Sequence, residues 1–276
     1  MSADTPSPPD EVQRYYTSFP EESRLASGAS QLEFERTRDV LARVLPPAPC
    51  RVIDVGGAAG AYSQWLADRN YEVHLVDASP RLVEEARRRA EGAAKPIRSI
   101  SEGDARKLTQ PDGSADAVLV MGPLYHLPES PDRLLALREA ARVLTGGGVL
   151  VAAAISRYAS ALDGLSRNLM KDPVFREIRD RDLRDGQHRN SSGNLDYFTT
   201  AYFHRPEDLV REMEAAGLRD AYVLGVEGPA WMLADFETRW DDADLHDDLL
   251  SVARALEREP SIIGASAHLL GIGKKG

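Results

Sequence analysis

The 276 residues include one cysteine, Cys50, so neither a disulfide framework nor a cysteine-rich zinc site can be assembled. Positive charge is also short: 44 acidic residues face 34 Lys and Arg, a net charge of −10. Proteins that grip a nucleic-acid backbone present a basic face, so no nucleic-acid partner is expected. No apolar run approaches the roughly 18 residues that read as a membrane span. The stretch Met1 to Pro9 is polar and Pro-rich, with no apolar signal core. No membrane partner and a cytoplasmic location are therefore expected. The six histidines (His74, His126, His188, His204, His246 and His268) are scattered without metal-ligand spacing, so no metal is expected.

What is present is ordinary for a globular chain: 42% hydrophobic and 28% charged residues. The length suits one large domain carrying an insertion. Residues 1–45 read as a disordered tail followed by an N-terminal helical cap, with a helix over Gln31–Leu45. Pro46-Pro47-Ala48-Pro49 stops that helix, because proline lacks the amide donor and clashes with the preceding turn. From residue 46 to 276 the pattern reads as one domain in which strands and helices alternate. Strands are expected at 51–55, 72–77, 97–101, 116–121 and 149–155. Helices fall between them, one opened by Pro80 and one by Pro131 and ended by Gly146-Gly147-Gly148. Such alternation implies a doubly wound α/β fold with a mostly parallel sheet. Residues 156–204 break the rhythm, carry no clean strand, and read as a partly helical lid insertion. Strands near 219–226 and 265–273 complete a seven-stranded sheet.

The main chemical signal is Asp54-Val-Gly56-Gly57-Ala58-Ala59-Gly60, where the first strand turns into a helix. Small residues let a ligand approach the backbone, and glycine tolerates positive φ. Ligands bind such sheets at the carboxyl ends of the strands. The spacing is not the Gly-x-Gly-x-x-Gly of dinucleotide sites, and no lysine follows to make a P-loop. Asp77 ends the second strand, followed by Ala78, and a carboxylate there can accept from both ribose hydroxyls. Ser79, directly before Pro80, suits the helix N-cap. Asp104-Ala105 follows the third strand, and Met121-Gly122-Pro123-Leu124-Tyr125-His126-Leu127 follows the fourth.

The glycine turn resembles motif I of the class I S-adenosylmethionine-dependent methyltransferases, with Ala58 where a middle glycine is usual. The likeness covers about residues 50–155 plus the final strands. It implies a Rossmann-like sheet with an antiparallel last strand, S-adenosylmethionine as cofactor, and methyl transfer by in-line displacement. It further implies that Asp54, Gly56, Gly57, Ala58 and Gly60 hold the methionine end. Asp77 and Ala78 would then hold the ribose, Asp104 and Ala105 the adenine, and Met121 and Gly122 would sit beside the reacting methyl. The Gly122–Leu127 loop and Tyr202-Phe-His-Arg-Pro206 look like a bacterial subgroup that methylates small molecules.

Around the methyl group the residues divide by chemistry. A histidine ordinarily titrates near neutrality, so His126 is the general-base candidate, with Tyr125 orienting the acceptor. Tyr15, Tyr16 and Arg24 precede the sheet, where related enzymes fold a helix over the cofactor. Arg24 is placed to pair with the methionine carboxylate. In the lid, His188, Tyr197, Phe198, Tyr202 and His204 can wall a small organic acceptor. The run Asp241–Asp248 reads as a solvated helix face. Two alternatives stand beside this reading. An NAD(P)-dependent oxidoreductase would share the sheet and the acid at Asp77, but its glycine spacing and a Tyr-x-x-x-Lys pair are missing. A non-catalytic S-adenosylmethionine-binding regulator is the other. The acceptor atom and the oligomeric state are left open.

Overall fold

The computed structural model describes residues 24–276. Helix α1 (Ser30–Val44), the first helix whose full span lies among the described residues, buries Leu32, Glu33, Arg36, Thr37, Val40 and Leu41. That 3.6-residue stripe seats it on the sheet. Then follow β1 (Arg51–Val55), α2 (Ala61–Ala67), β2 (Glu72–Asp77), α3 (Pro80–Ala90), β3 (Ser99–Glu102), β4 (Ala115–Val120), α4 (Pro123–His126), α5 (Ser130–Val143) and β5 (Leu144–Ser156). The second half contains α6 (Ala159–Ser166), α7 (Pro173–Asp185), β6 (Gln187–His188), β7 (Ala201–His204), α8 (Pro206–Ala215), β8 (Leu218–Gly225), α9 (Phe236–Asp241), α10 (Ala243–Leu256) and β9 (His268–Lys275).

The main sheet runs β3-β2-β1-β4-β5-β9-β8. The first five strands are parallel, and β9 lies antiparallel between β5 and β8. This is the expected doubly wound, Rossmann-like sheet with an antiparallel last strand. Its central strands are buried on both faces, so they read as unbroken apolar runs. Side chains still alternate: Val52 and Leu119 face a core shared with Leu41, Leu66 and Leu75. Ile53 and Val118 face the opposite core with Leu137, Leu150, Leu209 and Met213.

Three sequence expectations need adjusting. Residues 156–204 do contain strands: β7 pairs parallel with the end of β5 through Ile155 and Ser156, and β6 pairs antiparallel with β7. Helix α5 ends at Val143, before the three glycines, because β5 starts at once and Gly146–Gly148 lie inside it. The loop after β4 contains a single helical turn, α4. The acidic run behaves as expected: Asp242 caps α10 by accepting from Asp244 and Leu245 N–H, and Asp244, Asp247 and Asp248 are exposed. None of the described helices is long and apolar enough to cross a membrane.

Candidate active site

Three strand ends are stitched together at the carboxyl edge. Gly56 N–H donates to Val76 O at 2.7 Å, and Met121 N–H donates to Val55 O at 2.9 Å. The glycine turn between them is shaped by close packing. A Cβ on Gly56 would stand 2.5 Å from Pro123 Cδ, and one on Gly57 would stand 2.8 Å from Asp54 Oδ2. Ala58 itself takes a left-handed φ of 47°, so the position usually held by glycine keeps a glycine-like backbone. Gly60, at φ 84°, is the residue before α2.

The carboxylates around this turn differ in environment. Asp54 is completely buried; Ser63 Oγ donates to its Oδ2 at 2.7 Å, and its Oδ1 has no hydrogen-bond partner. Burial, with the nearby Asp77 charge adding to it, pushes the Asp54 carboxyl up to about 6. Asp77 accepts the Ala58 N–H at 2.9 Å and the Ser79 N–H at 2.8 Å. Ser79 does cap α3, through Leu82 N–H. A ligand carrying positive charge fits beside this pair of acids, since it would relieve the Asp54–Asp77 repulsion.

Asp104 is gripped by its neighbour Arg106. The Arg106 N–H and Nε donate to Oδ1 at 2.8 and 3.0 Å, and Nη2 donates to Oδ2 at 2.6 Å. Ala105 is buried beside it. Ala78 is exposed directly after Asp77. Arg24 spends its guanidinium on both oxygens of Glu33, at 2.5 and 3.0 Å. Its charge is therefore matched inside the protein. Tyr16, with Tyr15, lies outside the described residues.

In the segment after β4, a Cβ on Gly122 would stand 3.5 Å from the Tyr125 hydroxyl and 3.6 Å from Gly56 O. Tyr125 therefore overlies the junction of turn and loop. Its ring meets His126 edge-on at 4.7 Å. Burial, opposed only by a hydrogen bond to the Thr200 backbone, pulls His126 down to about 4. The imidazole is thus neutral throughout the physiological range.

The lid residues divide in the same way. His188 is buried: Nε2 lies 2.8 Å from Tyr197 O, Nδ1 lies 2.9 Å from Asp182 Oδ2, and the ring stacks on Phe203 at 4.7 Å. Tyr197 donates its hydroxyl to Asp172 at 2.7 Å. Tyr202 lies under the Arg133 guanidinium at 3.6 Å, and Arg133 also holds Leu127 O and Pro128 O. His204 is fully buried with Nε2 3.2 Å from Glu212. Despite its desolvation, Glu212 is held down at about 2 by His204 and Arg133. Tyr202 and His204 thus tie the lid to Arg133 and Glu212 outside it, whereas the bonds of His188 and Tyr197 stay within the lid.

Two features escaped the sequence reading. Glu33, Glu227 and His268 converge although 235 residues separate the first from the last; His268 Nδ1 lies 2.5 Å from Glu227 Oε1 and 3.7 Å from Glu33 Oε2. Burial opposes the charged ring, but the two carboxylates prevail and push His268 up to about 9. A groove of about 850 Å³ is lined by Tyr158, Leu162, Val210, Tyr222, Arg258 and Ile263, among others. None of its lining residues belongs to the glycine turn or the Gly122–Leu127 loop.

A doubly wound sheet with an acid-flanked glycine turn at its carboxyl edge defines a nucleoside-binding α/β protein. A family model described as a methyltransferase domain matches residues 53–152. The demethylmenaquinone methyltransferase of Deinococcus radiodurans is 32% identical over 201 residues, covering 69% of this chain and 78% of that protein. The 27-O-demethylrifamycin SV methyltransferase of Amycolatopsis mediterranei is 38% identical over 118 residues, 42% of each chain. A crystal structure from Thermotoga maritima, described as a SAM-dependent methyltransferase and possible histamine N-methyltransferase, has the same fold, with a TM-score of 0.58, 19% identity, and coverage of 96% of this chain and 98% of that one. The chain belongs to the class I S-adenosylmethionine-dependent methyltransferases and is an enzyme that takes its methyl group from that cofactor.

Proposed function

We propose that the enzyme methylates a small organic acceptor, with the sulfonium held between the Asp54–Gly60 turn and the Met121–Tyr125 segment. The observation that carries this reading is the Asp54–Asp77 pair: two acids at the strand ends, one with a free buried oxygen, meeting a turn whose backbone a ligand can approach. S-adenosylmethionine supplies an already activated methyl group, so the protein's task is to align the reactants and exclude water. Gly56, Gly57, Ala58 and Gly60 give the methionine end its space. Asp77 orients the ribose while pinning the Ala58 amide. Asp104, held rigid by Arg106, and Ala105 face the adenine. Met121 and Gly122 flank the methyl group. Arg24, balanced by Glu33, contributes on the methionine side of the cofactor site, as does Tyr16.

Tyr125 orients the acceptor. For His126, burial and the depressed basicity favour positioning over general-base work, since a base near 4 holds a proton weakly at neutral pH. His188, Tyr197, Tyr202 and His204 contribute to the acceptor site by fixing the lid. The relatives support a small acceptor: two are named for methylating demethylmenaquinone and 27-O-demethylrifamycin SV. A cytoplasmic location, as expected from the composition, is part of the same proposal. The experiment is direct. Purified protein is incubated with S-adenosylmethionine and a panel of small hydroxylated, amino and carbon-acid compounds, and S-adenosylhomocysteine is measured. Acceptor-dependent release supports the reading. Binding of the cofactor with no release across the panel favours the non-catalytic regulator instead.

A further inference from the structure

Two non-glycine residues of the lid have a left-handed φ, Asn168 and Phe198; asparagine tolerates its conformation, whereas a phenylalanine does not. Phe198 has φ 63° and ψ −166°, a region that is almost exclusive to glycine. Several contacts hold it there. Its N–H donates to Leu195 O at 3.2 Å, and Asn190 Nδ2 donates to its carbonyl at 2.7 Å. On either side, His188 grips Tyr197 O and His126 bonds the Thr200 backbone. Residues 197, 198 and 200 are therefore each clamped by a side chain from elsewhere in the chain.

What the strain achieves is the position of one ring. Phe198 is half-buried and reaches the segment after β4, with its centroid 5.8 Å from His126 and 6.5 Å from Tyr125. On its other side stand His188 at 6.0 Å and Phe203 at 6.5 Å. Tyr125 in turn overlies Gly122 and the glycine turn. A glycine at 198 would adopt the same backbone without cost, so a large aromatic there is explained by what its ring does.

We propose that Phe198 is the specificity-determining residue of the acceptor site, held by the lid against Tyr125 so that the two rings select a planar, unsaturated acceptor. The proposal rests on the reading of Tyr125 as the acceptor-side residue. His126 and His188 act through Phe198 as positioning residues, which accounts for two histidines whose ring nitrogens are turned toward the protein. Offset or edge-on ring contacts favour a flat aromatic over a flexible aliphatic of equal size.

The test compares the full chain with Phe198→Gly, Phe198→Ala and Phe198→Tyr, saturated with S-adenosylhomocysteine and titrated calorimetrically with 2-naphthol as planar probe and citrate as non-planar probe. The wild type binds 2-naphthol in preference to citrate. Phe198→Gly weakens 2-naphthol at least tenfold, leaves S-adenosylmethionine affinity within twofold, and melts at or above the wild-type temperature because the strain is gone. Phe198→Ala loses the same binding but keeps the strained backbone, so it melts below Phe198→Gly. Phe198→Tyr binds as the wild type. Equal 2-naphthol binding by wild type and Phe198→Gly overturns the proposal, as does no preference for 2-naphthol in the wild type. A Phe198→Gly protein that melts well below the wild type also overturns it, because the ring is then only packing. Loss of S-adenosylmethionine binding by the wild type would instead count against the methyl-transfer reading itself.

Discussion

Asp77 accepts the backbone N–H of Ala58 at 2.9 Å, nineteen residues earlier in the chain. The bond joins the acid at the end of β2 to the glycine turn, so one carboxylate shapes the turn and, in the proposed reading, also orients the ribose. Replacing Asp77 with Ala removes both. Hydrogen bonds to charged groups contribute about 1.5–3 kcal/mol, so the S-adenosylmethionine Kd should rise roughly ten- to a hundredfold. Titration calorimetry on the variant, with circular dichroism to verify the fold, measures this. An unchanged Kd would remove Asp77 from the site.

Asp54 provides a pH signature. Its carboxyl sits at about 6 because it is buried next to Asp77. A bound cation lowers that value, so binding S-adenosylmethionine near pH 6 should release up to about half a proton from Asp54, and binding at pH 8 almost none. Calorimetry in buffers of different ionisation enthalpy reads the proton count. Asp54→Asn should abolish the release.

Gly57 is a packing constraint. A methyl group there would meet Asp54 Oδ2 at 2.8 Å and Leu75 Cγ at 2.9 Å. Overpacking typically costs about 1–3 kcal/mol, so Gly57→Ala should melt several degrees lower and bind the cofactor more weakly. A variant as stable as the wild type would show that the turn yields.

His268 links stability to pH on the alkaline side. Its folded value is raised to about 9 by Glu33 and Glu227. The stabilisation it gives is complete below the ordinary histidine value near 6.5 and is lost as pH rises through about 9. The melting temperature should therefore fall between pH 7 and 10 by more in the wild type than in His268→Gln. Parallel curves would contradict the ion pairing.

How much of this was legible in the sequence depended on how local each signal was. The strand-turn-helix at Asp54–Gly60 and the acid at Asp77 lie within one βαβ unit, so spacing alone exposed them. Strands β6 and β7 have two and four residues; their pairing depends on the projecting end of β5, which no local pattern announces. His188 and His204 read as chemistry because histidine can titrate, yet burial turned each onto a carboxylate, Asp182 and Glu212. Arg36 was hidden inside a helix judged by its apolar positions. It is fully buried because Glu257 meets it from α10's far end at 2.6 Å. The strain at Phe198 is a dihedral angle and has no residue-type signature at all.

The central claim, that the acid-flanked turn binds S-adenosylmethionine and not a nicotinamide cofactor, is tested most directly by calorimetric titration of the wild type and Asp77→Ala with S-adenosylmethionine and with NADH. The account predicts saturable binding of S-adenosylmethionine to the wild type, loss of at least tenfold in affinity in Asp77→Ala, and no heat with NADH. Saturable NADH binding, or S-adenosylmethionine binding indifferent to Asp77, would contradict it.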